Sequence, residues 1–477
     1  MSTPDATPQK NNPVPRGRVR RTMPLAGFTA RAAGGRLVAG LREKAGQDGA
    51  VDRFHERTAE RYAELLGRSR GVLMKAGQMM SMVDGDAVGN GGFSPYQKAL
   101  TRLRADAPPM DAALALEVLN AELGRDFKLF AEFDNEPIAA ASIGQVHRAV
   151  LCDGRDVVVK IQYPGVAEAI RDDLANTELL ATFTRFAASA AGFTSDVRAI
   201  AREAADRIAE EIDYRHEAQA ISQFADLYRD HPFIRVPDVI PEASRDRVLT
   251  MTYLDGMDWA AAQDANQALK NTWAEAVTRF FHSNMRHANL LHADPHPGNY
   301  RFNTDGTVGF LDFGCVKVLP EMLRQPWLAM NRAAIDGRYE EGRVLMAQAG
   351  FFLDEKTPIT VEELGSFWDI LLADVTHVPQ PVRYTSEATA RLIKELFSTD
   401  VSQPINRIRV PDDMAMFPRV QLSLTHISAT LQATLPARAI WDDMDVVAEP
   451  ITELGKLHHA WVRERGLPTG LEHHDHP

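Results

Sequence analysis

The stretch His292-Ala-Asp-Pro-His-Pro-Gly-Asn299 is followed, after a short polar turn, by Val308-Gly-Phe-Leu-Asp-Phe-Gly314. Asp294 and Asn299 stand 5 residues apart, and Asp312 lies 13 residues beyond Asn299. The interval from Asp294 to Asp312 accommodates a loop, a short strand, a turn and a second strand. The three side chains have the chemistry of a phosphoryl-transfer centre. A phosphoryl group in flight carries spread negative charge, and the Mg²⁺ ions that offset it are gripped by hard oxygen ligands. Asp312 offers a carboxylate and Asn299 a neutral amide oxygen. Asp294 then remains to orient an attacking hydroxyl or water and to accept its proton. Each residue alone reads as a polar turn residue that caps a helix; the three in one register do not.

Protein kinases place a catalytic-loop Asp, an Asn five residues later and an Asp-Phe-Gly after a strand pair in this order. Upstream, Val157-Val-Val-Lys160 puts a lysine at the end of a strand that reads as buried. A lysine there needs an anionic partner. In a kinase lobe it holds the nucleotide α- and β-phosphates and pairs with a helix glutamate. Glu211 is the candidate partner and Glu210 its competitor. Where kinases carry a Gly-rich loop, this chain has Ala139-Ala140-Ala141-Ser142-Ile-Gly-Gln145. Alanines disfavour the φ > 0 backbone that glycines allow, so this loop is expected to grip phosphates differently.

The pattern of apolar residues organises the rest. Helices are expected over 59–83, 94–104 and 111–123, followed by a loop at 136–145. Strand-like runs 146–151 and 156–161 flank Asp153-Gly154, a hairpin signal. Long helices follow at about 166–190 and 196–228, then a strand at 247–253 and a helix at 270–290. Short strands near 299–303 and 308–312 enclose a turn, and the remainder to about 465 reads as mostly helical. This is α+β: a small sheet lobe followed by a helical lobe. The divisions are a disordered tail, 1–22; an N-terminal helical extension, 23–135; an N-lobe with a helical insertion, 136–254; a helical C-lobe, 255–465; and a terminal tail, 466–477.

Composition excludes several classes. With 45% hydrophobic and 25% charged residues, the 477-residue chain is neither disordered overall nor membrane-embedded. A net charge of −12 argues against nucleic acid as a partner. Cys152 and Cys315 are too few for a disulfide framework or a structural zinc site, and a reducing cytoplasm suits them. No apolar run is long enough to span a membrane, and the start of the chain lacks a secretory pattern. After the tail with Arg16, Arg18, Arg20 and Arg21, the stretch Leu25 to Leu41 mixes Leu25, Phe28, Leu37, Val38 and Leu41 with Arg31 and Arg36 and reads as a weak basic amphipathic helix. It suits either a docked surface helix or contact with an anionic membrane surface.

Read together, these motifs resemble the UbiB-like (AarF) atypical kinase family. Lys75-Ala-Gly-Gln78, the alanine loop, Lys160-Ile-Gln-Tyr-Pro-Gly165, Glu211-Ile-Asp213-Tyr-x-x-Glu217-Ala, His-Ala-Asp-Pro-His-Pro-Gly-Asn and Asp-Phe-Gly occur in the family's order over about residues 60–345. The resemblance implies a protein kinase-like bilobal fold whose N-terminal extension blocks the place of a protein substrate. It implies that Glu211 pairs with Lys160, that Asp213 ties down the segment carrying Lys75 and Gln78, and that Glu217 is structural. It also implies adenine nucleotide (ATP) and Mg²⁺ as ligands, with ATPase rather than ordinary protein kinase activity. The setting it implies is isoprenoid quinone synthesis or lipid homeostasis, with quinone- or lipid-pathway proteins as partners at the inner membrane surface. Some bacterial members end in hydrophobic spans, whereas here His458, His459, Arg463 and Arg465 make the C-terminal region polar. Two other readings stay open: a small-molecule phosphotransferase of the aminoglycoside or choline kinase type, and a nucleotide-sensing scaffold with little turnover.

Overall fold

The computed structural model describes residues 110–140, 143–174, 212–351, 359–376, 379–396 and 416–471, with a few isolated positions outside these spans. Lys75, Gln78, Ala141, Ser142 and Glu211 lie outside the described residues, as do the helix expected over 94–104, that expected over 59–83 from residue 62 on, and the arginine-bearing N-terminal stretch. The described residues form two compact units. One takes those up to His216 together with Val239–Tyr253, and the other takes Glu217–Asp238 and those from Leu254 onward.

In the first unit, helix α1 (Ala112–Leu123) starts where the Asp111 carboxylate accepts from the Ala113 amide at 2.8 Å. Ala115, Val118, Leu119 and Leu123 recur on one face, and all are buried. The sheet runs β1 (Phe130–Ala140), β2 (Gly144–Leu151), β3 (Asp156–Gln162) and β5 (Val248–Thr252), every pair antiparallel. The expected hairpin is β2–β3. Gly154 takes φ +88° in its turn, and its amide donates to the Leu151 carbonyl at 2.9 Å.

Two expectations are corrected here. The segment expected as a loop from residue 136 is strand as far as Ala140. β1 is mostly exposed, contains Pro137 and changes register twice between Phe133 and Ala139. An irregular edge strand of this kind has no period-2 signal and is recruited only by pairing with β2. The helix expected over 196–228 is not continuous either. Asp213 Oδ1 accepts from the amides of Arg215 and His216, both at 3.0 Å, and so starts helix α3 (Tyr214–Leu227) afresh.

Polar groups beneath the sheet form a closed set. The Met110 amide donates to Gln145 Oε1 at 2.7 Å, so Gln145 Nε2 must donate to His147 Nε2 at 2.8 Å. His147 Nδ1 then carries the proton given to the Asp134 carbonyl at 2.8 Å. Burial pushes the His147 pKa down, consistent with this neutral tautomer.

The second unit is built around helix α4 (Gln267–Ala288), started by the Asn266 side chain on the Leu269 amide. Between Trp273 and His287 only Thr278 is not buried. Its buried Arg279 donates to both oxygens of Asp443 at 2.7 Å and to Glu275 at 2.8 Å. Arg286 pairs with Asp445, and Arg332 with Asp442 at 2.8 Å. These carboxylates lie in or just after helix α7 (Ala437–Met444), which follows helix α6 (Phe417–Thr430). The last described helix, α8 (Glu453–Arg465), ends at Gly466 in the left-handed region. Beyond it, Pro468, placed by the sequence in a terminal tail, accepts from His287 Nδ1 at 2.6 Å.

That last bond ends a directional chain of buried histidines. The amides of Phe233 and Ile234 donate to His231 Nδ1 at 3.3 and 3.0 Å, which leaves the proton on Nε2. His231 Nε2 then donates to His458 Nδ1 at 3.0 Å, and His458 Nε2 to His287 Nε2 at 3.2 Å. Every ring is neutral in this arrangement, and a proton added to any of them sets two donors against each other.

Two predictions follow from this packing. A Cβ on Gly144 would lie 2.3 Å from the Ile161 carbonyl oxygen in the facing strand. Gly144→Ala is therefore expected to cost about 1–3 kcal/mol in urea unfolding, as overpacking does. The histidine chain sets a pH dependence. Burial depresses the pKa values of His231 and His458 and takes His287 to about 4, with the charges of Arg235, Arg279 and Arg286 adding to it. Neutral folded rings contribute stability that is present above the unfolded pKa, roughly 6.5, and is lost as pH falls below it. His459, raised by its bond to Asp443, works in the opposite sense. The urea midpoint should fall between pH 7 and 5, and less steeply in His458→Gln.

Candidate active site

The left-handed residue Asn289 ends α4 and turns the chain directly into β6 (Leu290–His292). Four of the second unit's short strands then form two antiparallel pairs. β6 pairs with β9 (Val316–Val318), and β7 (Tyr300–Phe302) pairs with β8 (Val308–Phe310). The loop carrying Asp294 and Asn299 leaves β6 and enters β7. The loop carrying Asp312 leaves β8 and enters β9. The two ladders therefore hold both ends of both loops side by side.

Bonds between the loops fix their register. The Ala293 amide donates to the Cys315 carbonyl at 2.9 Å, and the Leu311 amide to the Asn299 carbonyl at 3.0 Å. His292 Nε2 donates to the Asp312 carbonyl at 2.7 Å. The Gly314 amide donates to Asp312 Oδ1 at 3.0 Å and aims that carboxylate. Within the first loop His296 Nδ1 accepts from the Gly298 amide at 3.1 Å, and a Cβ on Gly298 would strike that ring at 2.8 Å. The Asn299 amide donates to the His296 carbonyl at 3.0 Å, closing the single turn Pro297–Asn299.

An apolar wall lies behind the loops. Phe313 is fully buried, 4.9 Å by ring centroid from Phe224 of α3, and His292 packs edge-on against Phe281 and Phe313. Burial pushes the His292 pKa down, so the ring is neutral with its proton on Nε2. The Tyr300 hydroxyl is buried without a hydrogen-bond partner among the described residues. Burial, reinforced by the charge of Asp294, pushes its pKa well up.

The other expected site residues that are described lie in the first unit. Ala139, Val146, Lys160 and Leu249 are mutual register partners on β1, β2, β3 and β5, so the alanine segment and the lysine share one row across the sheet. Ala140 stands opposite Gln145. Lys160 Nζ lies 5.4 Å from the Tyr214 ring centroid. Asp213, expected to hold the extension, caps α3 as described. His292 and Gln145 stand in motifs read from the sequence but carry no role there, and His147 is not among them. Their signal is burial of a polar side chain beside each motif, which no sequence pattern reports.

The donor set fits Mg²⁺ bound with a nucleotide. Among the described residues no three His, Cys, Asp or Glu side chains form a metal cage. Mg²⁺ needs none, since it commonly takes one or two protein oxygens and completes its shell with phosphates and water. Asp312 and Asn299, locked together by the loop bonds, are such a pair.

Residues 102–343 match the family described as the ABC1 atypical kinase-like domain. The chain belongs to this family. The membership read from its motifs is borne out, and so is the kinase-like α+β fold. Among curated relatives, the mitochondrial atypical kinase COQ8B of Rattus norvegicus is 35% identical over 295 residues, 61% of this chain and 53% of that protein. The mitochondrial atypical kinase COQ8 of Saccharomyces cerevisiae is 32% identical over 317 residues, 65% of this chain and 62% of that one. The solved complex of Rv3197 with erythromycin from Mycobacterium tuberculosis aligns with a TM-score of 0.60 at 28% identity, covering 83% of this chain and 97% of that one. The matched region spans about half the length of the curated relatives. No helix among the described residues is long and apolar enough to cross a membrane.

His292→Leu leaves the Asp312 carbonyl without its donor inside the aromatic wall. A buried acceptor left unpaired costs about 1–3 kcal/mol. The urea midpoint should drop by that amount, and the loop amides of Ala293 and Leu311 should exchange hydrogen faster.

Proposed function

We propose that this chain binds ATP with Mg²⁺ and carries out ATP hydrolysis or phosphoryl transfer in support of isoprenoid quinone synthesis or lipid homeostasis. The observation that carries the reading is the pair of cross-bonded loops that hold Asp294, Asn299 and Asp312 in one register. When bound, Mg²⁺ neutralises charge on the phosphate oxygens. Asp312 and the Asn299 amide oxygen are its protein ligands. Asp294 orients the attacking hydroxyl or water and accepts its proton. His292, neutral and buried, holds the Asp312 loop by its carbonyl and is a positioning residue.

Lys160 is the residue for the α- and β-phosphates, with Glu211 as its ion-pair partner, and the segment Ala139–Ser142 covers the nucleotide. Lys75 and Gln78, with Asp213, gate the site and keep an ordinary protein substrate out. The quinone or lipid setting, with peripheral contact at an anionic inner membrane surface, rests on family membership and on the arginines at 16–21. The kinase names of the curated relatives support a phosphotransferase class.

Two substitutions separate the roles. Asp294→Asn should lower kcat for phosphate release from MgATP by about 10²–10⁴-fold, the usual worth of a positioned base, with nucleotide affinity nearly unchanged. Asp312→Asn should abolish turnover and weaken Mg²⁺-dependent binding of a fluorescent ATP analogue while leaving Mg²⁺-free binding intact. Parent-like turnover in Asp312→Asn would overturn the metal role.

A further inference from the structure

Away from the two loops, the second unit contains a partly enclosed cavity lined by residues that the proposed chemistry does not use. Its wall includes Thr278 and His282 of α4, Asp374 of the short helix Ala373–Thr376, Tyr384, Thr425 of α6 and Trp441 of α7. Asp374 is half-buried, its carboxylate held by its own amide and that of Val375, and no basic side chain among the described residues pairs with it. Burial pushes its pKa up despite the Tyr384 hydroxyl, which donates to Oδ2 at 2.6 Å. A carboxylate taken out of water without a counter-ion is unfavourable, and a cation beside it removes that penalty.

The rest of the wall offers lone pairs. Thr278 donates its hydroxyl proton to the Ala274 carbonyl at 2.8 Å, and Thr425 donates to Gln421 at 3.0 Å. With the Tyr384 proton held by Asp374, these three hydroxyl hydrogens are committed inside the protein, and the two threonine oxygens keep lone pairs for a guest, beside Ser428 and Gln421, which can turn either a donor or an acceptor toward it. The His282 ring lines the cavity 4.5 Å from Trp441 by centroid. Burial, with the Arg286 charge nearby, takes its pKa to about 3, so the ring is neutral and keeps a lone pair. Arg286 lies 5.3 Å from the Trp441 ring centroid, but its charge is matched by Asp445. A carboxylate without a counter-ion, a neutral imidazole and two hydroxyl lone pairs around one small space suit a compact positive donor. They suit an anion or an apolar guest poorly.

We propose that this cavity binds a primary ammonium group, as the ammonium ion or the head of a small amine. Asp374 is its counter-ion, and His282, Thr278 and Thr425 supply the remaining acceptors. The test uses the full chain, titrated calorimetrically with ammonium chloride, methylammonium chloride and ethanolamine hydrochloride. Sodium, potassium and tetramethylammonium chlorides at matched ionic strength are the controls.

Saturable binding of ammonium alone, or of ammonium and the amines, supports the proposal, and the two outcomes tell a free ion from an amine head. Asp374→Asn should weaken binding at least tenfold. Thr425→Val, which keeps the shape of the wall, should weaken it several-fold and serves if the first variant does not fold. Binding by potassium alone, no saturable heat beyond the sodium control, or parent-like affinity in both variants would overturn it.

Discussion

Helix α4 is buried from Trp273 to His287 except at Thr278, and its two arginines cannot leave water without carboxylates to meet them. The second unit is arranged around that requirement. Arg279 takes both oxygens of Asp443, and Arg286 takes Asp445, so α7 is drawn against α4 by charge as well as by apolar contact. Removing one partner of such a buried pair typically costs about 3–5 kcal/mol, because the other charge is left in a low-dielectric interior. With α4 held, its left-handed end at Asn289 sets the start of β6 and so the position of Asp294.

From that anchor the candidate site is a problem of register. Asp294 and Asp312 belong to loops on different strands, and each loop alone is a flexible polar turn. The β6–β9 and β7–β8 ladders fix both ends, and the bonds from His292, Ala293 and Leu311 fix the middles. A neutral His292 matters here. Its proton on Nε2 is what the Asp312 carbonyl accepts, and the aromatic wall that buries the ring is also what depresses its pKa. Packing and chemistry are one device at this position: the apolar residues keep the imidazole neutral, and the bond to the Asp312 carbonyl keeps its one proton on Nε2.

The buried histidines elsewhere follow the same logic. His147 in the first unit and the chain His231–His458–His287 in the second have tautomers dictated by backbone groups that can only donate or only accept. Each link closes a polar path through an apolar interior and joins segments far apart in sequence, as when His287 holds the carbonyl of Pro468. Such paths hold when every member is satisfied and weaken together when one is protonated.

Much of this molecule is legible in the sequence for a physical reason. The spacing of Asp294, Asn299 and Asp312 reports a loop–strand–turn–strand length, the Asp153-Gly154 pair reports a hairpin, and Lys160 at the end of an apolar run reports a strand that needs an anion. These are local signals, set by backbone geometry over a few residues. β1 was not legible, because its exposed, proline-bearing residues have no period of their own and become a strand only beside β2. The break before Tyr214 was missed because an Asp within a helical pattern reads equally as a helix residue or a cap, and its bonds to two amides decide between them. The roles of His292, Gln145, the histidine chain and the cavity around Asp374 were set by the tertiary structure alone. A buried polar group is defined by the partners that folding brings to it, and those partners lie up to 227 residues away.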